Sequence, residues 1–144
     1  MKYADNKKAR FDYQVLDEVE AGIVLKGYEV AAIKNKMVSL KGSYAYFHSG
    51  ELFLLNMHVS PYQAKNMPKT YEPTDTRKLL LKKSEITKIH SKIKEMGLTL
   101  IPLKIYSKNG IIKVLIGLCK GKKKYDKRES IKERDFQRKV KKIY

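Results

Sequence analysis

The sequence predicts a mainly β domain with short helices interposed and a basic tail. Three observations carry this reading. Short apolar runs recur with turn signals between them, among them Asn109-Gly110. A clear helical periodicity covers Ser84 to Met96. From Lys120 onward the composition changes: residues 120–144 hold 12 Lys or Arg against 4 acids, a net of +8 out of +17 for the whole chain.

The elements follow in order. Residues 1–10 read as a short basic arm. Phe11 to Val19 alternates in part, through Phe11, Tyr13 and Val15, which suits a first strand. Glu20 to Asn35 reads as a helix with Ile23, Gly27, Val30 and Ala31 inward, weakened by Gly22 and Gly27. Tyr44 to Phe47, the turn His48-Ser49-Gly50-Glu51 and Leu52 to Val59 form a hairpin, with Gly50 supplying the positive φ of the turn. Pro61 to Pro73 is a long loop. Ser84 is the expected N-cap of the next helix, which presents Ile86, Ile89, Ile93 and Met96 to the core and ends at Gly97. A second hairpin runs from Leu98 to Tyr106, turns at Lys108-Asn109-Gly110 and returns over Ile111 to Cys119, with Ile112, Val114 and Ile116 sharing one face.

This gives about five or six strands, two helices and a tail. An antiparallel barrel of the oligonucleotide-binding (OB) type fits, and such barrels bind nucleic acid on strand faces and loops. The same signals also allow another α+β sheet. Residues 1–119 are expected to form one domain with its N-terminal arm, and 120–144 a tail. Phe136, Val140 and Ile143 lie at helical spacing, and Ser130 with Glu133 matches a capping box. The apolar stripe is narrow and the segment short, so the tail is expected to be disordered when free and helical when bound to something acidic.

Charge narrows the function. There are 32 Lys or Arg against 15 Asp or Glu. A field of +17 attracts polyanions, nucleic acid first and an acidic membrane surface second. No apolar run approaches the roughly 20 residues of a membrane span, and the N-terminus lacks an apolar signal core, so a cytoplasmic monomer is expected. The single Cys119 lies in an apolar run and reads as a buried, inert thiol. No nucleophile motif, phosphate loop or acid–base couple stands out, and His48, His58 and His90 lack metal-ligand spacing, with His90 reading as solvated. No catalytic residue, metal or cofactor is expected. The chain reads as a binding protein.

One run gives this reading a family. Gly121-Lys122-Lys123-Lys124-Tyr125-Asp126-Lys127-Arg128, followed by Ile131-Lys132-Glu133-Arg134, resembles the tail segment of the small protein B family, which binds transfer-messenger RNA. Asn6-Lys7-Lys8-Ala9-Arg10, Glu20-Ala21-Gly22-Ile23, Gly27-Tyr28-Glu29-Val30, Leu54 to Tyr62 and Asp75-Thr76-Arg77-Lys78-Leu79-Leu80-Leu81 resemble further family segments, in order along nearly the whole chain. One departure is Ala31-Ala32, where the family usually has Lys-Ser; a second is a tail ending at Tyr144, short for the family.

The resemblance implies an OB-type barrel that binds the tRNA-like domain of transfer-messenger RNA and brings it to stalled ribosomes. Elongation factor Tu takes part indirectly, through the charged RNA. By matching position, Asn6, Lys7, Glu20, Leu80 and Lys113 are implied as RNA contacts. Gly121, Lys122, Lys123, Tyr125, Asp126, Lys127 and Arg128 are implied at the decoding centre and along the empty mRNA channel. The residues alone suggest plainer roles for several: Glu20 as a helix-start acid, Leu80 as core and Lys113 as a solvated lysine.

Overall fold

The computed structural model describes residues 1–62, 68–121 and 134–139. Among the described residues, nine strands and three helices follow as β1 (Lys2–Asp5), α1 (Lys7–Asp12), β2 (Tyr13–Ile23), α2 (Gly27–Lys34), β3 (Val38–Ser39), β4 (Tyr44–His48), β5 (Glu51–Leu55), β6 (His58–Val59), β7 (Arg77–Leu80), α3 (Lys83–Met96), β8 (Thr99–Lys108) and β9 (Ile111–Gly121). A fourth helix, α4, covers residues 134–139.

The strands close on themselves. One antiparallel sheet runs β1-β8-β4-β5-β7-β2-β9, and β9 pairs back with β8 from Ile111 to Cys119. The ring therefore has six strands, with β1 added beside β8, and β3 with β6 forms a separate two-stranded ribbon. Closure removes the exposed edges that a small open sheet would carry. Mainly β with helices, close to a barrel, is the class the sequence predicts.

Alternation sets the inside of the barrel. Ile112, Val114, Ile116 and Leu118 of β9 are buried, and so are Leu52 and Leu54 of β5 and Leu79 of β7. Ile89 of α3 joins this core, with Ile86 and Ile93 packed against it, while Met96 stays half exposed. Cys119 is a free, buried thiol. Gly117 of β9 sits where a Cβ would stand 2.9 Å from Leu103 Cδ1, so glycine lets β8 and β9 pack tightly there.

A buried ion pair ties α2 to β7. Arg77 donates to Glu29 Oε2 from Nε at 2.8 Å and Nη2 at 2.5 Å, and both residues are 4% exposed. Its remaining N–H groups reach the carbonyls of Met57, Asp75 and Pro73. Tyr71 packs edge-on against Tyr28 and donates to Val59 O at 2.9 Å, which pins residues 68–76 over the pair.

Several expectations change. The arm at 1–10 is structured: β1 pairs with β8, and Asn6 caps α1. Phe11 lies in α1, exposed, so the first long strand starts at Tyr13. Glu20–Ile23 belong to β2, not to a helix, because they complete the ladder with β9 and β7; the helix starts at Gly27. Ala32 of that helix is core, so the family's second position in this pair is not a surface site here. The return run after Gly50 breaks at Asn56, whose φ of +65° ends β5. Lys82, not Ser84, caps α3, since Glu85 Oε1 accepts the Lys82 N–H at 3.0 Å. Gly97 closes α3 in the left-handed region as expected. His90 is half-buried, not solvated, and stacks on Phe47 at 4.0 Å.

The body also runs past residue 119, since β9 extends to Gly121. Of the tail, α4 is helical and folded against the barrel, with Phe136 fully buried. Ser130, Glu133, Val140 and Ile143, which carry the rest of the tail's helical pattern, lie outside the described residues.

Candidate nucleic-acid interface

The long strand β2 sits between β7 and β9, and its outer face forms the floor of a groove. Gly22 pairs with Leu80 on one side and with Lys113 on the other, and Lys113 pairs onward with Tyr106. Alternation turns Ala21 into the core and leaves Glu20 and Gly22 outward. The same rule buries Leu79 and leaves Leu80 50% exposed. A Cβ on Gly22 would stand 3.2 Å from Leu80 Cβ, so the missing side chain keeps the floor open and lets β7 approach.

The groove measures about 690 Å³ and is lined by Glu20, Gly22, Leu80, Leu81, Lys82, Glu85, Lys108, Asn109, Ile111 and Lys113. Three lysines stand on it, and Ile111, 59% exposed, adds an apolar surface across from Leu80. Glu20 Oε2 holds Lys108 Nζ at 3.3 Å. Its second oxygen, Oε1, is shielded from solvent and has no hydrogen-bond partner among the described residues. Burial, then the Glu20 charge, pushes the neighbouring Tyr106 hydroxyl up to about 12, so it stays a neutral phenol at ordinary pH. Lys104 Nζ lies 5.1 Å from the Tyr106 ring centre.

This arrangement suits binding. The lysines offer charge to phosphates, and Leu80 and Ile111 offer flat apolar contact. Among the described residues no group of three or more His, Cys, Asp or Glu can hold a metal, and no helix is long and apolar enough to cross a membrane.

Glu20, Leu80 and Lys113, implied separately along the sequence, thus meet in one groove. Asn6 and Lys7 do not. Asn6 is 7% exposed, and its polar atoms are engaged within the fold: Oδ1 accepts from Ala9 N–H, and Nδ2 donates to the carbonyls of Pro102 and Leu40. It orients α1, while Lys7, Lys8 and Arg10 remain exposed beside it. Gly121 is the last residue of β9, opposite Tyr13. Lys122, Lys123, Tyr125, Asp126, Lys127 and Arg128 lie outside the described residues. Lys82, Lys108 and Ile111 complete the groove and were not singled out from sequence; Lys108 and Ile111 flank the Asn-Gly turn, the one local signal that pointed there.

Comparison with known proteins now decides the family. Residues 3–144 match the family described as SmpB protein. The chain belongs to that family. An SsrA-binding protein of Streptococcus thermophilus is 50% identical over 140 residues, 97% of this chain and 90% of the relative. One from Enterococcus faecalis is 50% identical over 137 residues, 95% of this chain and 88% of the relative. A solved structure described as "tmRNA-SmpB: a journey to the center of the bacterial ribosome" superposes with a TM-score of 0.68 at 46% identity, covering 85% of this chain and 86% of that one. The SmpB membership agrees with the OB-like barrel.

Proposed function

We propose that this SmpB-family chain binds the tRNA-like domain of transfer-messenger RNA through the groove of Glu20, Leu80 and Lys113 and delivers that RNA to stalled ribosomes for trans-translation. The observation that carries the reading is the convergence of those three residues, from three strands, on one open floor at Gly22. Relatives at 50% identity named for binding SsrA support the choice of RNA.

The protein works by shape and charge, in the cytoplasm and as a monomer, with no catalytic step of its own. Lysines on the groove hold phosphates, and Leu80 with Ile111 supports a sugar or base face. Elongation factor Tu joins through the charged RNA. The tail leaves the barrel at Gly121 and enters the empty mRNA channel as a helix, with Lys122 and Lys123 leading. There Tyr125 stacks on a ribosomal base, which is worth roughly 1–3 kcal/mol per base. Lys127 and Arg128 meet phosphates, and Asp126 orients Arg128.

The test is a titration of the full chain with the tRNA-like domain, an ordinary tRNA and a single-stranded RNA of equal length, at about 150 mM salt, where nonspecific attraction is weakened. Selective binding that Leu80→Ala and Lys113→Ala both weaken is the expected result. Equal binding to all three RNAs, insensitive to these changes, would leave a nonspecific basic binder of the same fold.

A further inference from the structure

The groove is basic, yet two acids line it, Glu20 and Glu85. A carboxylate in a phosphate-binding groove repels its ligand, so each needs another task. Glu85 has one: its Oε1 accepts the Lys82 N–H at 3.0 Å and caps α3. Glu20 has no helix to cap. It lies within β2, paired with Leu115 of β9.

The Glu20 side chain is 31% exposed, and its Oε2 accepts from Lys108 Nζ at 3.3 Å. Its Oε1 is turned away from solvent. The Tyr106 hydroxyl lies beside the carboxylate, two residues before Lys108 on the same face of β8. One oxygen is thus inaccessible to a ligand, and the other is engaged by the ammonium.

Lys108 is the last residue of β8, before Asn109 and Gly110, whose φ values of +53° and +78° make the tight turn. The turn fixes the Lys108 backbone but not its side chain, a flexible four-carbon stem that is 60% exposed. Glu20 stands on β2 and Lys108 on β8, with β9 between them. The ion pair therefore draws the ammonium back across β9, the strand that carries Lys113. An ammonium has three N–H donors; Glu20 takes one, which leaves two for a phosphate.

We propose that Glu20 is a positioning residue and not itself an RNA contact: its carboxylate holds the Lys108 ammonium over the groove, where Lys108, together with Lys113, binds RNA phosphate. The inference rests on the groove reading above and adds to it a role for Lys108 and a reason for an acid at position 20. An exposed ion pair does little for stability. What this one supplies is a lysine already placed when the RNA arrives.

The test is a double-mutant cycle on the full chain, with Glu20→Gln, Lys108→Ala and both together, titrated with the tRNA-like domain at about 150 mM salt. Lys108→Ala should lower affinity by roughly fivefold, the worth of one phosphate contact at that salt, and reduce the slope of log affinity against log salt by about 1. Glu20→Gln raises the net charge by one, so a field effect alone would tighten binding. The expected result is a loss approaching that of Lys108→Ala, with a smaller salt slope as well. The double variant should bind as Lys108→Ala does. Urea midpoints of all three should stay close to the parent's, which separates positioning from unfolding. Losses that multiply, to roughly twenty-five-fold in the double variant, would show that Glu20 meets the RNA by itself and would overturn the proposal. Unchanged or tighter binding by Glu20→Gln would do the same, as would a Lys108→Ala chain that binds like the parent. If Leu80→Ala and Lys113→Ala also bind like the parent, the groove reading falls and this role with it. If those two weaken binding while the losses in the cycle multiply, only the positioning role falls.

Discussion

Replacing Arg77 by Met tests the tie that sets β7, and with it Leu80, in place. Methionine keeps most of the volume and removes the guanidinium. Glu29, 4% exposed, would keep only the Lys26 N–H at 3.0 Å on Oε1 and the Tyr71 hydroxyl at 3.4 Å on Oε2. The carbonyls of Met57 and Asp75 would also lose a donor. Stranding one charge of a buried pair costs about 3–5 kcal/mol. That is a large share of the roughly 5–15 kcal/mol that holds a domain of this kind together. Urea unfolding at pH 7 should show the midpoint fall with an unchanged slope, and thermal unfolding should drop by roughly 10–20 °C. Adding Glu29→Gln should recover much of the loss, since a neutral amide costs less to bury than an unpaired carboxylate. A cost below about 1 kcal/mol, or no recovery in the double variant, would refute the reasoning that the pair's charge holds this corner.

Three further outcomes follow from the groove and its surroundings. Gly22→Val places a Cβ 3.2 Å from Leu80 Cβ and fills the floor; RNA affinity should fall by about tenfold, while unfolding shows a cost within about 1–3 kcal/mol, as overpacking predicts. Lys113→Ala should weaken RNA binding and reduce the slope of log affinity against log salt by about 1, which a salt titration reads directly. Stability should also fall as pH rises from about 10 to 12. Burial first, and then Glu29 for Tyr71 and Glu20 for Tyr106, pushes both hydroxyls up to about 12 from 10.0, so the unfolded chain releases these protons first and unfolding gains with rising pH. Tyr71→Phe and Tyr106→Phe should flatten that alkaline loss in urea midpoints measured between pH 9 and 11.5.

The parts read well from sequence are those set by short-range rules. The Asn109-Gly110 hairpin, the turn at Gly50, the α3 periodicity and its stop at Gly97 each depend on neighbours a few residues away. The chemistry of the partner was equally legible, because net charge and motif order do not depend on folding. The helix expected over Glu20–Asn35 failed for the opposite reason. Residues 20–23 take their conformation from ladders to Leu79, Leu80 and Lys113, far away in the chain.

Tertiary structure alone decided three matters. Leu79 and Leu80 are identical residues side by side, and only the closure of β7 onto β2 and β5 sends one into the core and the other to the groove. Asn6 looks like a surface polar residue in a basic arm, yet its amide is bonded to carbonyls 34 and 96 residues away. Phe136 reads as one apolar residue in a charged tail, yet it fills a cleft built from β4, β5, β8 and β9. Composition and local pattern thus determined the class, the charge and the family of this protein. Which face of each strand meets water depended on pairings between distant segments, because a strand's two sides differ only in what packs against them.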